Sequence, residues 1–246
     1  MLKQRMRIRI PWLLTLLLVA AGASQRAAAD DADVTRGVQR ALSSLDYGPN
    51  RPAVSVSSGV AMVSGTIATL WLKEETISRT RKVPGVTSLV LEVTIPRAES
   101  DEKLVKEVTD KIQQYEHFTV YDDFQGSVKN GVVYLGGAVT EPKKLDDVIE
   151  RVSKIRGVQA IDNKVVVLPP NQSDDRLRVA IATAIYRNPD FERYSMTNPP
   201  IHVIVNNGHV TLIGYVRNEI EKRKAHEAAQ FINGVLALDD RVKVVK

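Results

Sequence analysis

Four histidines, a few adjacent acids and no cysteine are the residues with which this chain could do chemistry. His117, His202, His209 and His226 are scattered, and no two stand at the His-x-x-x-His spacing that sets two metal ligands on one helix face. No serine sits in a Gly-x-Ser-x-Gly nucleophile elbow. The acid pairs Asp122-Asp123, Asp146-Asp147 and Asp239-Asp240 are neighbours in sequence, so on a helix or strand their side chains diverge; they read as solvated surface rather than as acid and base. These absences argue against an enzyme and against any cofactor or metal. Without cysteine the chain has neither disulfides nor thiol chemistry, and it lacks the residue that carries the lipid of a lipoprotein.

Binding chemistry is better represented. Arg217, Lys222, Arg223 and Lys224 form a basic cluster that could add about 1 kcal/mol per charge at an anionic surface, with Glu219, Glu221 and Glu227 close enough to neutralise it as an ordinary solvated helix face. Nearby, Tyr186, Phe191, Tyr194 and Met196 alternate with Arg187 and Arg193. Rings beside basic residues suit a membrane interface, which makes Phe191 and Tyr194 candidate lipid contacts with the basic cluster. Tyr115, Phe118, Tyr121 and Phe124 are interleaved with acids and read instead as a loop covering a core. Leu70, Trp71 and Leu72 are consecutive and cannot all face one small core. Either one or two of them stand exposed as a partner-binding patch, or they pack on the second repeat.

Charge removes one class of partner. The chain has 34 Lys and Arg against 29 Asp and Glu, but five of the basic residues lie within residues 1–29, and 34 less 5 leaves the remainder formally neutral. Global attraction to nucleic acid is not encoded. Residues 1–29 read as a signal peptide: Lys3, Arg5, Arg7 and Arg9, then an apolar run to Ala23, then Ala27-Ala28-Ala29 as a cleavage site. The run is short of the roughly 20 apolar residues of a spanning helix. Export to the periplasm with cleavage near Ala29 is the expectation.

The elements that position these residues come from a threefold repeat. Ser58-Gly59, Asn130-Gly131 and Asn207-Gly208 each precede a strand-forming run whose second glycine (Gly65, Gly137, Gly214) stands six positions on. A Gly-Val pair (Gly85, Gly157, Gly234) follows 20 residues after each. Before every copy lies an acidic opening, at Asp31, Asp101 and Asp174, that complements a helix dipole, with Ser100 and Ser173 as caps. Apolar residues then recur at helical spacing, as in Leu104, Val105, Val108 and Ile112. The Asn-Gly pairs predict tight hairpins. A second helix follows, started by Thr140 with Pro142 or by Asn218 with Glu221, and the Gly-Val glycine ends it as a left-handed cap. A last strand closes the unit over residues 86–95, 158–168 and 235–245.

The fold class is therefore α+β: three tandem αββαβ units at residues 30–98, 99–170 and 171–246, each a small three-stranded mixed sheet with two helices on one face and the last strand returning beside the first. Gly65, Gly137 and Gly214 mark a bulge or a close approach within the strand. The first unit carries Thr76 and Thr80 where the second has Val148 and Val152, which makes it either the least stable of the three or the most dependent on a neighbour.

The acidic opening, the hairpin leading into Gly-x-Val-x-x-x-Gly, and the Gly-Val before the last strand together resemble the BON (bacterial OsmY and nodulation) domain. The resemblance spans all three copies. It implies exported, osmotically induced or envelope-maintenance proteins that attach to phospholipid surfaces or envelope proteins rather than catalyse. Attachment to anionic phospholipid through the third copy is the leading expectation. The alternative is a protein-interaction adaptor or oligomerising module using Leu70, Trp71 and Leu72. The oligomeric state is not encoded in any legible way.

Overall fold

The computed structural model describes residues 30–194 and 199–245. The expected signal peptide and Met196 lie outside the described residues. Contacts divide the chain into two units, one ending at Pro96 and one beginning at Arg97. The first repeat makes the first unit, and the second and third repeats together make the other.

In the first repeat, helix α1 is described over residues 30–42, followed by β1 (Ala53–Ser57), β2 (Val60–Thr66), α2 (Leu70–Arg81) and β3 (Ser88–Thr94). The second repeat contains α3 (Asp101–Gln113), β4 (Asp123–Lys129), β5 (Val132–Val139), α4 (Pro142–Ser153), β6 (Ala160–Asn163) and β7 (Val166–Val167). The third contains α5 (Gln172–Tyr186), a 3-10 turn at Pro189–Phe191, β8 (Ile201–Asn206), β9 (His209–Val216), α6 (Glu219–Gln230) and β10 (Ala237–Val244). The expected α+β class and αββαβ order hold in each.

The hairpins form as their turn residues dictate. Ser58, Asn130 and Asn207 take φ of 51°, 54° and 50°, and the glycines after them 77°, 77° and 74°, the paired positive angles of a turn whose twist matches that of its strands. β1 and β2 pair antiparallel with Ser57 opposite Val60. Strand order departs from expectation: β3 lies beside β2, parallel to it, with Val90 opposite Met62, and not beside β1. The hairpin uses one edge of β2, and a chain leaving β2 through a helical crossover returns parallel on its other edge. β5 and β9 are the central strands of their sheets in the same way. The last strand of the second repeat is also divided, because the Asn163 side chain accepts the Val165 N–H at 3.0 Å and interrupts the ladder.

One face of each sheet is covered. Along β9, Val210, Leu212 and Val216 are buried, and along β5, Val133, Leu135 and Val139. The helices supply the other side of each core: Val38 and Leu42 with Ile67 and Leu72 in the first repeat, Ile181, Ile185, Ala225 and Ala229 in the third. Gly137 and Gly214 are close approaches rather than bulges. A methyl on Gly214, whose φ is 141°, would stand 1.9 Å from the carbonyl oxygen of Pro200. The Gly-Val glycines do not end the helices. α2 and α4 stop at caps Lys82 and Lys154 in ordinary helical conformation, and α6 stops at Phe231; a turn then carries the chain on to each glycine.

The acidic openings do more than complement a dipole. Asp31 accepts the N–H groups of Ser58 and Gly59 at 2.7 and 3.0 Å. Asp101 accepts those of Asn130 and Gly131 at 2.6 and 2.9 Å, and Asp174 those of Asn207 and Gly208 at 2.7 and 2.9 Å. Each carboxylate thus ties the start of the first helix to the hairpin turn through two charge-assisted bonds. Ser100 caps α3 as expected, accepting from the Lys103 N–H. Asn171, and not Ser173, caps α5, because α5 begins two residues before its clamp Asp174 whereas α3 begins on its own. Asn218 caps α6 through the Glu221 N–H, while Thr140 bonds Asp122 instead of capping α4.

Candidate functional site

The connectors between first helix and hairpin hold most of the aromatic residues singled out from the sequence, with several charged ones among them. In the second repeat the connector joins its neighbour. Val120 is buried in the core of the third repeat, its carbonyl accepts the Val203 N–H at 2.7 Å, and it thereby occupies the outer edge of β8. Phe118 lies against His202 with ring centroids 5.1 Å apart, and the His202 Nδ1 is 3.3 Å from the Thr119 carbonyl oxygen. Burial holds the imidazole below its ordinary pKa, against the opposing pull of Asp123. The same burial raises the Asp123 carboxyl. The aromatics of this connector cover a core, as the sequence suggests.

Asp122, expected on the solvated surface, is fully buried. Adjacent side chains do diverge, and here one of the two turns inward. It accepts from Lys144 Nζ at 2.7 Å, from the Thr140 N–H at 3.0 Å and from the Thr119 hydroxyl at 2.6 Å. Burial alone would raise the Asp122 carboxyl, but Lys144, Thr119 and Thr140 outweigh it and hold it below the ordinary value. With its partners satisfied, the pair is a structural tie. Beside it Tyr115 donates to Asp147 at 2.9 Å, and burial followed by that bond pushes its hydroxyl up to about 12.

Lys144 stands seven residues after its strand glycine, a place held by Leu72 in the first repeat and by Glu221 in the third, and all three are buried. Glu221 accepts from the Tyr194 hydroxyl at 2.8 Å and from the Arg217 N–H at 3.0 Å. The sequence reading of Glu221 as a capping-box residue and a surface neutraliser misses this inward role.

The predicted lipid contacts separate into two groups. Phe191 is 0% exposed and belongs to the third core, so it cannot reach a membrane; its 3-10 turn closes the core beneath the connector. Tyr194 is half-buried on Glu221, with the Arg217 guanidinium 5.9 Å from its ring. Arg217 and Arg223 are exposed, and Lys222 and Lys224 partly so. Lys224 is paired with Asp190, and Arg223 Nε lies 3.9 Å from Glu227. Two apolar residues of this helix escaped the sequence reading: Ile220 at 54% exposure and Phe231 at 82%. They lie on one stripe with Arg223 and Glu227, at steps of three and four residues, and that periodicity was the signal available. Leu70 and Leu72 are buried and Trp71 is half-buried, with Leu72 and Trp71 packed in the core of the first repeat. They form no open patch, because only part of the Trp71 indole stays exposed.

Among the described residues no three acids or histidines converge as a metal site, and no helix is long and apolar enough to cross a membrane. Three segments match the model of the BON domain, at residues 30–97, 100–169 and 173–246. Among curated proteins none matches the chain. Two solved structures of CdsD, a structural protein of the type III secretion system of Chlamydia trachomatis, are similar at 18% and 17% identity. They cover 87% of this chain and 98% and 92% of theirs, each with a TM-score of 0.26, a value too low to bear on function.

Proposed function

The chain belongs to the BON domain family, a non-catalytic family, and on that premise we propose that it is a non-enzymatic periplasmic protein that attaches to anionic phospholipid surfaces. The attachment face is the outer side of α6, in a role of envelope maintenance or stress protection. The observation that carries the reading is the stripe of Ile220 and Phe231, both exposed, which Arg223 and Glu227 share, with Lys222 and Lys224 flanking it and Arg217 just ahead. The corresponding places on α4 are Lys143 and Lys154, and on α2 the half-buried Trp71 and Lys82. Of the three second helices, α6 alone has exposed apolar residues at both ends with basic residues between them, a composition suited to a helix that lies in a membrane interface. Burying a phenylalanine side chain contributes about 1.5–3 kcal/mol, and each basic residue near an anionic surface about 1 kcal/mol.

The test is cosedimentation of the chain from Asp30 to Lys246 with neutral and with anionic vesicles at low and moderate salt. Binding confined to anionic vesicles, weakened by salt and reduced by Phe231→Ser or by Lys222→Gln with Arg223→Gln, is expected. Equal recovery with neutral vesicles, or none with either, would sink the proposal.

A further inference from the structure

The glycine of each Gly-Val pair faces the entry of the first helix, and the three repeats treat that niche differently. In the first, a methyl on Gly85 would stand 2.5 Å from Cγ2 of Val34; in the second, one on Gly157 would stand 2.5 Å from Cβ of Ala98 and 2.8 Å from its backbone nitrogen. Both glycines are covered. In the third repeat the nearest atoms to the same point over Gly234 are the Leu177 methyls, at 3.9 and 4.0 Å. A groove of about 630 Å³ opens there, with Leu177, Ala180 and Leu236 as its apolar walls and Asn171, Asn207 and Asn233 on its rim.

The difference has a local cause. In the second repeat α3 starts on its clamp residue Asp101, so the residues before it stay outside the helix and lay Ala98 across Gly157. In the third repeat α5 starts two residues ahead of Asp174, and Asn171, which corresponds to Ala98, is drawn off as the helix cap. The covering strand has been wound into the helix and the niche stays open. Leu236, on its wall, is 75% exposed, where the other repeats have Thr87 and Gln159.

We propose that this groove over Gly234 binds a non-helical polypeptide segment carrying a small apolar side chain, and that Ala98, which lies against the equivalent glycine of the second repeat, shows the pose. Glycine lets the bound backbone approach closely. Asn171 Oδ1 is taken by the Ser173 and Asp174 N–H groups and Asn207 Nδ2 donates to Asn206, so the rim offers peptide groups the Asn171 amide N–H, the Asn207 amide oxygen and the Asn233 amide. The groove is separate from the α6 stripe, and the inference does not rest on lipid attachment.

The probe is a synthetic peptide with the sequence of residues 95–100, blocked at both ends and titrated into isotopically labelled chain comprising residues 30–246, with amide and methyl NMR shifts as readout. Saturable shifts centred on Gly234, Asn207, Leu236 and the Leu177 methyls are expected. Ala180→Phe, which fills the groove, and Leu236→Glu, on an exposed wall, should each weaken binding at least tenfold while the remaining spectrum keeps its dispersion. A peptide with tryptophan in place of its alanine should bind at least tenfold more weakly too. Absence of saturation up to millimolar peptide, shifts centred elsewhere, or indifference to both groove variants would overturn the assignment. So would movement of the same signals with protein concentration alone, which would assign the groove to a second copy.

Discussion

Lys144 and Glu221 occupy the same position in two repeats of one chain, carry opposite charges and are both buried. In the second repeat a cation meets the fully buried Asp122; in the third an anion meets the Tyr194 hydroxyl and a backbone N–H. The first repeat uses Leu72 there and needs no polar partner. Hairpin, clamp and glycines are repeated almost without change, so the place under the connector is where the copies are free to differ. Each copy has adapted its connector to whatever the second helix presents.

The comparison is broken most severely by Lys144→Ala. Leaving Asp122 buried without its cation should cost about 3–5 kcal/mol, read as a lowered midpoint of urea unfolding. Replacing both residues by leucine should recover most of that loss, because the first repeat is built with an apolar residue there. Glu221→Gln should cost less, about 1 kcal/mol, since an amide oxygen still accepts from Tyr194. Between these two lies the shared frame: Asp174→Asn removes one of two charge-assisted acceptors at a buried turn and should cost about 1.5–3 kcal/mol. Asp31→Asn, at a more exposed clamp, should cost less in the same assay.

Two smaller effects sharpen the contrast. Thr80 in the first repeat is fully buried, and its hydroxyl has no hydrogen-bond partner among the described residues, whereas Val152 and Ala229 fill that place elsewhere. Thr80→Val should raise the stability of the first repeat by about 1 kcal/mol. At the joint between the second and third repeats, burial lowers the pKa of His202, so the folded chain binds that proton less readily than the unfolded chain does. Its contribution is present above the unfolded value of 6.5 and is lost as pH falls from there toward the depressed folded value, at less than about 1.4 kcal/mol per pH unit. Stability measured between pH 7.5 and 5.5 should fall less for His202→Gln than for the parent.

Much of the fold can be read from local chemistry. Asn130-Gly131 and Asn207-Gly208 specify their turns within two residues, and the helical stripes of α3 and α5 specify their buried faces within a few turns. Misreadings arise where a partner lies far along the chain. Strand order depends on which edge of β2 is left after the hairpin forms, and no residue spacing encodes that. Asp122 beside Asp123 looks like solvated surface until Lys144, 22 residues later, is brought beneath it. Phe191 looks like an interfacial ring because its basic neighbours are visible in sequence and the core it closes is not. At the candidate site, the basic residues of α6 were legible as a cluster. Ile220 and Phe231 share a helical period with Arg223, but that period does not show exposure, since a lone apolar residue at either end of a helix normally turns inward.

The seat of Val120 bears on the order in which the chain is completed. The residue belongs to the second repeat, but the strand that receives it, Ile201–Asn206, arrives only after the second repeat has been finished. In a polypeptide that emerges amino end first, the second repeat therefore reaches its own closure with Val120, and the ring faces of Phe118 and Tyr121 that meet the third repeat, still in water. It acquires those contacts from a successor, and a chain stopped near residue 170 would leave these apolar groups uncovered.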